Sequence, residues 1–286
     1  MTAIQMTRDP AWLLEHRSNF LSQTGEDGVI AKILEVLPEQ NCWCVEFGAW
    51  DGRHMSNTAN LVLNKNYAAV LIEADADKLK ELKSNYADNE KIIALNRFVG
   101  FDESDNLDVI LKETPIPRDF DFLSIDIDGN DYHVWSAMSL YVPKLVCVEY
   151  NPTIPTEVHF VQEKNRDVKQ GNSLAAYVAL GKEKGYELIC ATELNAFFVR
   201  QEYFPLFEIS DNSAGTLRRN TELVTYIFSG FDGAVLLTGS RELPWHQLKL
   251  DSEKFQVLPR WLRRFPADYS RMQARAFQVL RRVRGW

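Results

Sequence analysis

A chain of 286 residues that is 45% hydrophobic can bury a substantial core, which excludes a disordered polypeptide. Its formal net charge of −8 argues against a nucleic-acid partner, since such binding draws most of its affinity from Lys and Arg neutralising phosphates, and favours a small-molecule one. No segment approaches the roughly 20 apolar residues of a membrane span, and Met1–Pro10 lacks an apolar core of signal-peptide length, so a soluble, cytoplasmic protein is expected.

In chain order, residues 1–17 read as an N-terminal helix or arm, 18–203 as the catalytic domain and 204–286 as a C-terminal extension. Five short apolar runs carry the fold: Trp43 to Phe47, Ala69 to Glu73, Ile92 to Leu95, Phe120 to Ile125 and Leu145 to Glu149. Rich in Val, Ile, Leu and Phe and ending at polar residues, they read as buried parallel strands whose C-terminal ends form a ligand crevice. Between them, Asp77 to Tyr86 places Leu79 and Leu82 on one helical face behind an Asp75/Asp77 cap, and Ser173 to Lys184 reads as a helix stopped by Gly185. Tyr186 to Cys190 and Ala196 to Val199 then form a hairpin. The sum is a doubly wound α/β fold: a seven-stranded, mostly parallel, Rossmann-like sheet with helices on both faces.

Cys44, Cys147 and Cys190 lie inside apolar runs, and Cys42 adds no C-x-x-C pair. All four read as thiols of a reducing compartment, without the partners a zinc site needs. Beyond about Gln201 the rhythm changes. The segment 260–286 carries eight Arg against the single acid Asp268. It reads as a basic amphipathic helix, either packing Trp261, Phe265, Phe277 and Leu280 onto the rest of the protein or meeting an anionic substrate or membrane surface.

The turn after the first run, Gly48-Ala49-Trp50-Asp51-Gly52, lets a ligand approach the backbone at Gly48. Glu73 closes the next run about twenty residues later, where a carboxylate can accept hydrogen bonds from both hydroxyls of a ribose. A nicotinamide dinucleotide would share that acid but also needs G-x-G-x-x-G to seat a pyrophosphate, and that pattern is missing. Glu46 and Asp51 would repel a pyrophosphate yet attract the ammonium and sulfonium of S-adenosylmethionine (SAM).

Glu46-x-Gly48-Ala49-x-x-Gly52 resembles the first SAM motif of class I methyltransferases, and Ile72-Glu73-Ala74-Asp75 resembles the second. Ser22 to Gly28, Ser56-Asn57-Thr58 and Ser124 to Gly129 are similar to the FkbM-like branch of that superfamily. The resemblance covers about residues 18 to 200 and is looser after Asn151. It implies a SAM site formed by Glu46, Gly48, Ala49, Asp51, Gly52, Ser56, Asn57, Glu73, Ala74, Phe98 and Val99, with Gly48, Asp51, Ser56 and Asn57 at the methionine end and Phe98 and Val99 at the adenine.

Acids crowd the ends of the fourth and fifth runs, in Asp126-Ile127-Asp128 and at Glu149, so either one serves as a general base or together they bind a cation. This corner is similar to catechol O-methyltransferase, which implies Mg²⁺ or another divalent cation on Asp126, Glu149 and Asn151, although Tyr150 interrupts that family's acid-Asn pair. Without a metal, Asp126, Asp128 and His133 are the candidate catalytic residues. His133 reads equally as a histidine bonded to backbone, as do His159 and His246. The loop 156–172 reads as a lid or an ordinary surface loop.

The expected function is methyl transfer from SAM to a hydroxyl of a small-molecule or sugar acceptor. N-methylation, a nicotinamide-dependent oxidoreductase and a non-catalytic SAM-fold binding protein are the alternatives. The acceptor and any assembly into an oligomer stay open.

Overall fold

The computed structural model describes residues 8–285; the first seven residues of the expected N-terminal arm, and Trp286, lie outside them. The chain divides into two compact units with the boundary after Asn220. The first therefore runs past residue 203, the expected end of the catalytic domain. Phe207 and Leu217 are buried in it, and Trp12 Nε1–H donates to the Phe207 carbonyl at 3.1 Å.

The first unit holds seven strands: β1 (Trp43–Phe47), β2 (Ala68–Glu73), β3 (Ile92–Asn96), β4 (Phe122–Ile125), β5 (Leu145–Glu149), β6 (Tyr186–Ala191) and β7 (Asn195–Arg200). Its helices are α1 (Glu26–Val36), α2 (Ala59–Asn64), α3 (Ala76–Asn85), α4 (Leu107–Leu111), α5 (Asp131–Ala137), α6 (Leu174–Glu183) and α7 (Ala214–Leu217). One sheet contains every strand in the order β3-β2-β1-β4-β5-β7-β6. All its pairings are parallel except those of β7, which runs antiparallel to both neighbours. The α/β Rossmann-like fold expected from the sequence is the fold observed.

The elements form for local reasons the sequence displays. Asp75 caps α3 by accepting from the N–H groups of Asp77 and Lys78, and Leu79 and Leu82 are the residues that helix buries. Ser173 caps α6 through the N–H of Ala176, and Gly185 follows it at φ +79°. β1, β2, β4 and β5 are almost wholly buried, as parallel strands covered by helices must be. Cys44, Cys147 and Cys190 are buried among them, Cys42 is exposed, and all four thiols are free.

Chain order reverses between β1 and β4, since β2 and β3 build outward on one side and β5 on the other. The register sets Phe47 opposite Ile72 and Ile125, and Glu149 opposite Asn195. The C-terminal ends of β1, β2, β4 and β5 therefore share one edge, with a crevice at the switch point.

The second unit contains the antiparallel hairpin of β8 (Thr225–Ser229) and β9 (Val235–Gly239), the short pair β10 (Glu242–Leu243) and β11 (Leu248–Lys249), and helix α8 (Arg271–Val283). A reciprocal capping box between Ser270 and Gln273 starts α8. Among the described residues no helix is long and apolar enough to cross a membrane.

Candidate active site

The turn leaving β1 is held by contacts to β2 and β4. Gly48 has φ +71°, and a Cβ there would stand 2.2 Å from the Asp126 carbonyl oxygen, so only glycine lets these strand exits touch. The Ala49 N–H donates to the Ile72 carbonyl at 3.2 Å. The Trp50 N–H donates to Glu73 Oε2 at 2.8 Å, and the Asp75 N–H to Glu73 Oε1 at 2.7 Å. Each Glu73 oxygen keeps a further lone pair for an incoming hydroxyl. Gly52, at φ +75°, lies against the Tyr86 ring, whose hydroxyl donates to the Gly52 carbonyl at 2.6 Å.

A cavity of about 290 Å³ opens here. Gly48, Glu73, Ala74, Phe98 and Val99 line it, joined by Asp128 from the β4 end. Its wall also includes Phe101, Asn130, Arg166 and Lys169, which sequence reasoning missed.

Glu46, Ala49, Asp51, Gly52, Ser56 and Asn57 are not on this wall. Glu46 is buried, and its carboxylate accepts from Ser56 Oγ at 2.6 Å, Thr58 Oγ1 at 2.6 Å and the Asn57 N–H at 2.8 Å. Burial nonetheless lifts its pKa. Asn57 Nδ2 in turn donates to Ser124 Oγ at 3.1 Å, tying this network to β4. Asp51 Oδ1 accepts from the N–H groups of Arg53 and His54 at 2.9 and 2.7 Å, shaping its own turn.

The acids of β4 and β5 do converge. Asp126, Asp128 and Glu149 each bring a carboxylate oxygen within 4.8 Å of the other two. Asp131, buried at the start of α5, accepts from the N–H groups of Ile127 and Gly129, both at 2.8 Å, and so folds the connecting loop. Burial, then the charges of Asp131 and Asp128, raises the Asp126 pKa to about 8. Burial, then Asp126, raises Glu149 to about 9.

Asn151 is engaged elsewhere. Its Oδ1 accepts from the Thr153 N–H at 2.9 Å and Oγ1 at 2.7 Å, and its Nδ2 donates to the Gln170 carbonyl. Asp128 stands with Asp126 and Glu149 in the cluster of acids.

His133 Nε2 lies 2.9 Å from the Gln162 carbonyl, which can only accept, so this nitrogen carries the proton. The ring is edge-on to Phe101 and Tyr132 and is absent from the cavity wall. It braces the segment 156–172, which Asn172 Nδ2 also ties to the Gly129 carbonyl at 2.9 Å. Arg166 reaches from that segment to Asp102 at 2.9 Å and lies over the rings of Phe98 and Phe101. The long loop is therefore an ordered wall of the crevice.

The resembling segment Ser22 to Gly28 opens α1. Asp27 Oδ2 accepts from the N–H groups of Phe20, Leu21 and Ser22, while Glu26 Oε1 accepts from Thr192 Oγ1 at 2.9 Å.

No protein-family model matches the chain, and no curated protein matches it. Solved structures similar to parts of it include the N-terminal domain of EvdMO1 with SAH bound, at 11% identity and TM-score 0.39, covering 63% of this chain and 81% of that one. The citrinin polyketide synthase CMeT domain is 9% identical at TM-score 0.41, covering 61% of this chain and 50% of its own. A SAM-dependent methyltransferase from Aquifex aeolicus is 10% identical at TM-score 0.37, covering 67% and 97%. The functional reading rests on the site's own geometry.

Proposed function

We propose that this chain transfers a methyl group from SAM to a hydroxyl of a small-molecule or sugar acceptor. The observation that carries the proposal is that Glu73, its carboxylate oriented by two backbone N–H groups, shares one cavity wall with Asp128, whose carboxylate lies within 4.8 Å of those of Asp126 and Glu149. The residues fit the donor. Gly48 brings bare backbone to the cavity wall, Glu73 offers lone pairs held in place, and Phe98 and Val99 give an apolar wall for an adenine.

When bound, SAM supplies a methyl group on a positively charged sulfur. Asp128 stands on the cavity wall and Asp126 lies beside it. This pair would take up the proton of an acceptor hydroxyl held beside it, leaving that oxygen free to receive the methyl group. A carboxyl with a pKa of about 8 suits that task near neutral pH, since it is partly ionised yet basic enough to hold the proton.

A divalent cation is the second reading, favoured by the three oxygens of Asp126, Asp128 and Glu149 lying within 4.8 Å of one another. They would hold Mg²⁺ with waters completing its shell, and the ion would lower the pKa of a bound hydroxyl.

Calorimetric titration tests both. SAM is expected to bind at micromolar concentration, and NADH not to bind. Folded protein that takes NADH and not SAM would move the chain to the oxidoreductases. Heat from Mg²⁺ that disappears in Asp126→Asn would favour the cation, and its absence in wild type the shared proton.

A further inference from the structure

The segment 221–286 carries eleven Lys and Arg against six Asp and Glu, in a chain whose overall charge is −8. The excess collects at α8, where no acid occurs between Tyr269 and Trp286.

α8 shows three distinct sides. At 3.6 residues per turn, Met272, Val279 and Val283 fall within an arc of about 40°, and Arg271, Arg275 and Arg282 fill a second arc beside it. The apolar stripe faces water, with Met272, Val279 and Val283 exposed by 82%, 59% and 79%. The three arginines are exposed too and make no ion pair among the described residues. Folding uses the third side: Phe277 packs edge-on to Tyr269 at 5.6 Å, and Gln273 Nε2 donates to the Trp261 carbonyl at 2.9 Å. The stripe is therefore not the face that holds α8 to its own unit. Trp261, half exposed, shares a surface hollow with Met272 and Ala276 and extends the stripe.

We infer that α8 docks this protein on an anionic lipid surface, with Met272, Val279, Val283 and Trp261 entering the headgroup boundary and Arg271, Arg275 and Arg282 meeting lipid phosphates. An apolar stripe bordered by guanidinium groups is the arrangement such an interface selects, because the arginine stems lie along the acyl boundary while their heads reach phosphate. A second copy of the chain fits poorly, since stripe-to-stripe packing would bring two arginine rows together without acids between them. A nucleic acid would meet the arginines but leave the stripe in water.

The test is co-sedimentation of the full-length protein with vesicles of phosphatidylcholine alone or mixed with phosphatidylglycerol. Binding is expected only to the mixed vesicles, weakening as salt rises. Combined Arg271→Gln, Arg275→Gln and Arg282→Gln should weaken it about a hundredfold. Val279→Ser with Val283→Ser should weaken it at least tenfold, with the circular dichroism of both variants unchanged. Protein that stays in the supernatant with mixed vesicles, or an arginine variant that binds like wild type, overturns the inference. So does a dimer in light scattering that the valine variant dissolves, which would assign the stripe to a second copy.

Discussion

The backbone N–H of Trp50 donates to Glu73 Oε2 across 2.8 Å, so the turn that ends β1 orients the acid that ends β2. The Asp75 N–H fixes the other oxygen at 2.7 Å. The carboxylate is thus positioned before a ligand arrives, which removes an ordering cost from binding. Glu73→Ala should raise the SAM dissociation constant about a hundredfold, the value of two charge-assisted hydrogen bonds, and Glu73→Gln about tenfold. Calorimetry reads both; equal affinity in all three proteins would take Glu73 out of the donor site.

Asp126 and Glu149 make the reaction and the fold depend on pH in opposite senses. With the Asp126 pKa near 8, kcat/KM should climb as pH rises toward about 8 and then level, as the carboxyl becomes a base. Asp126→Asn should abolish that climb and slow turnover about 10² to 10⁴-fold. A flat wild-type profile would exclude Asp126 as the base.

Stability runs the other way. Both carboxyls have folded-state pKa values above their ordinary range, so their neutral forms favour the fold at low pH. That contribution is lost as pH rises through about 8 and about 9. Melting temperature should fall between about pH 6 and about pH 9, and Asp126→Asn with Glu149→Gln should flatten the fall, as followed by scanning calorimetry. A slope unchanged in the double variant would mean that other groups set it.

Glu46 accepts three hydrogen bonds from Ser56, Asn57 and Thr58 in a buried pocket. Glu46→Ala leaves those donors without a partner and should destabilise the first unit by about 3 kcal/mol in urea unfolding, with SAM affinity of the folded protein changed less than about threefold. A large affinity loss at unchanged stability would put Glu46 in the donor site.

That contrast shows which parts of the molecule were legible in the sequence. The strands were readable because burial between helices forces continuous Val, Ile, Leu and Phe runs, and six of the seven begin and end within one residue of the expected positions; β4 starts two residues late. The cavity wall at Gly48, Glu73 and Asp128 was readable because chain reversal places strand ends together, and Phe98 and Val99 followed from the resemblance to class I methyltransferases. What sequence could not tell is how a polar side chain is satisfied. Glu46 accepts from the hydroxyls of Ser56 and Thr58, and Asn151 from that of Thr153, partners that no periodicity or spacing names. Arg166 was missed because a 17-residue polar loop has no periodicity that says which residue turns inward.

The edge of the sheet opposite the cavity depends on a buried ion pair. Lys144 Nζ lies 2.7 Å from Asp121 Oδ1, with side chains 5% and 0% exposed. Asp121 also accepts from the N–H groups of Asn41 and Cys42, so it joins the approaches to β1, β4 and β5. Lys144→Met fills similar volume but leaves Asp121 charged and buried against only two N–H donors, and should cost about 3 to 5 kcal/mol. Replacing both, as Lys144→Met with Asp121→Asn, removes the stranded charge and should recover part of that loss, because an amide oxygen still accepts one N–H. A double-mutant cycle in urea measures the coupling. Lys144→Met within about 1 kcal/mol of wild type would show that water or a shifted proton relieves Asp121, and that the pair is not what holds this edge together.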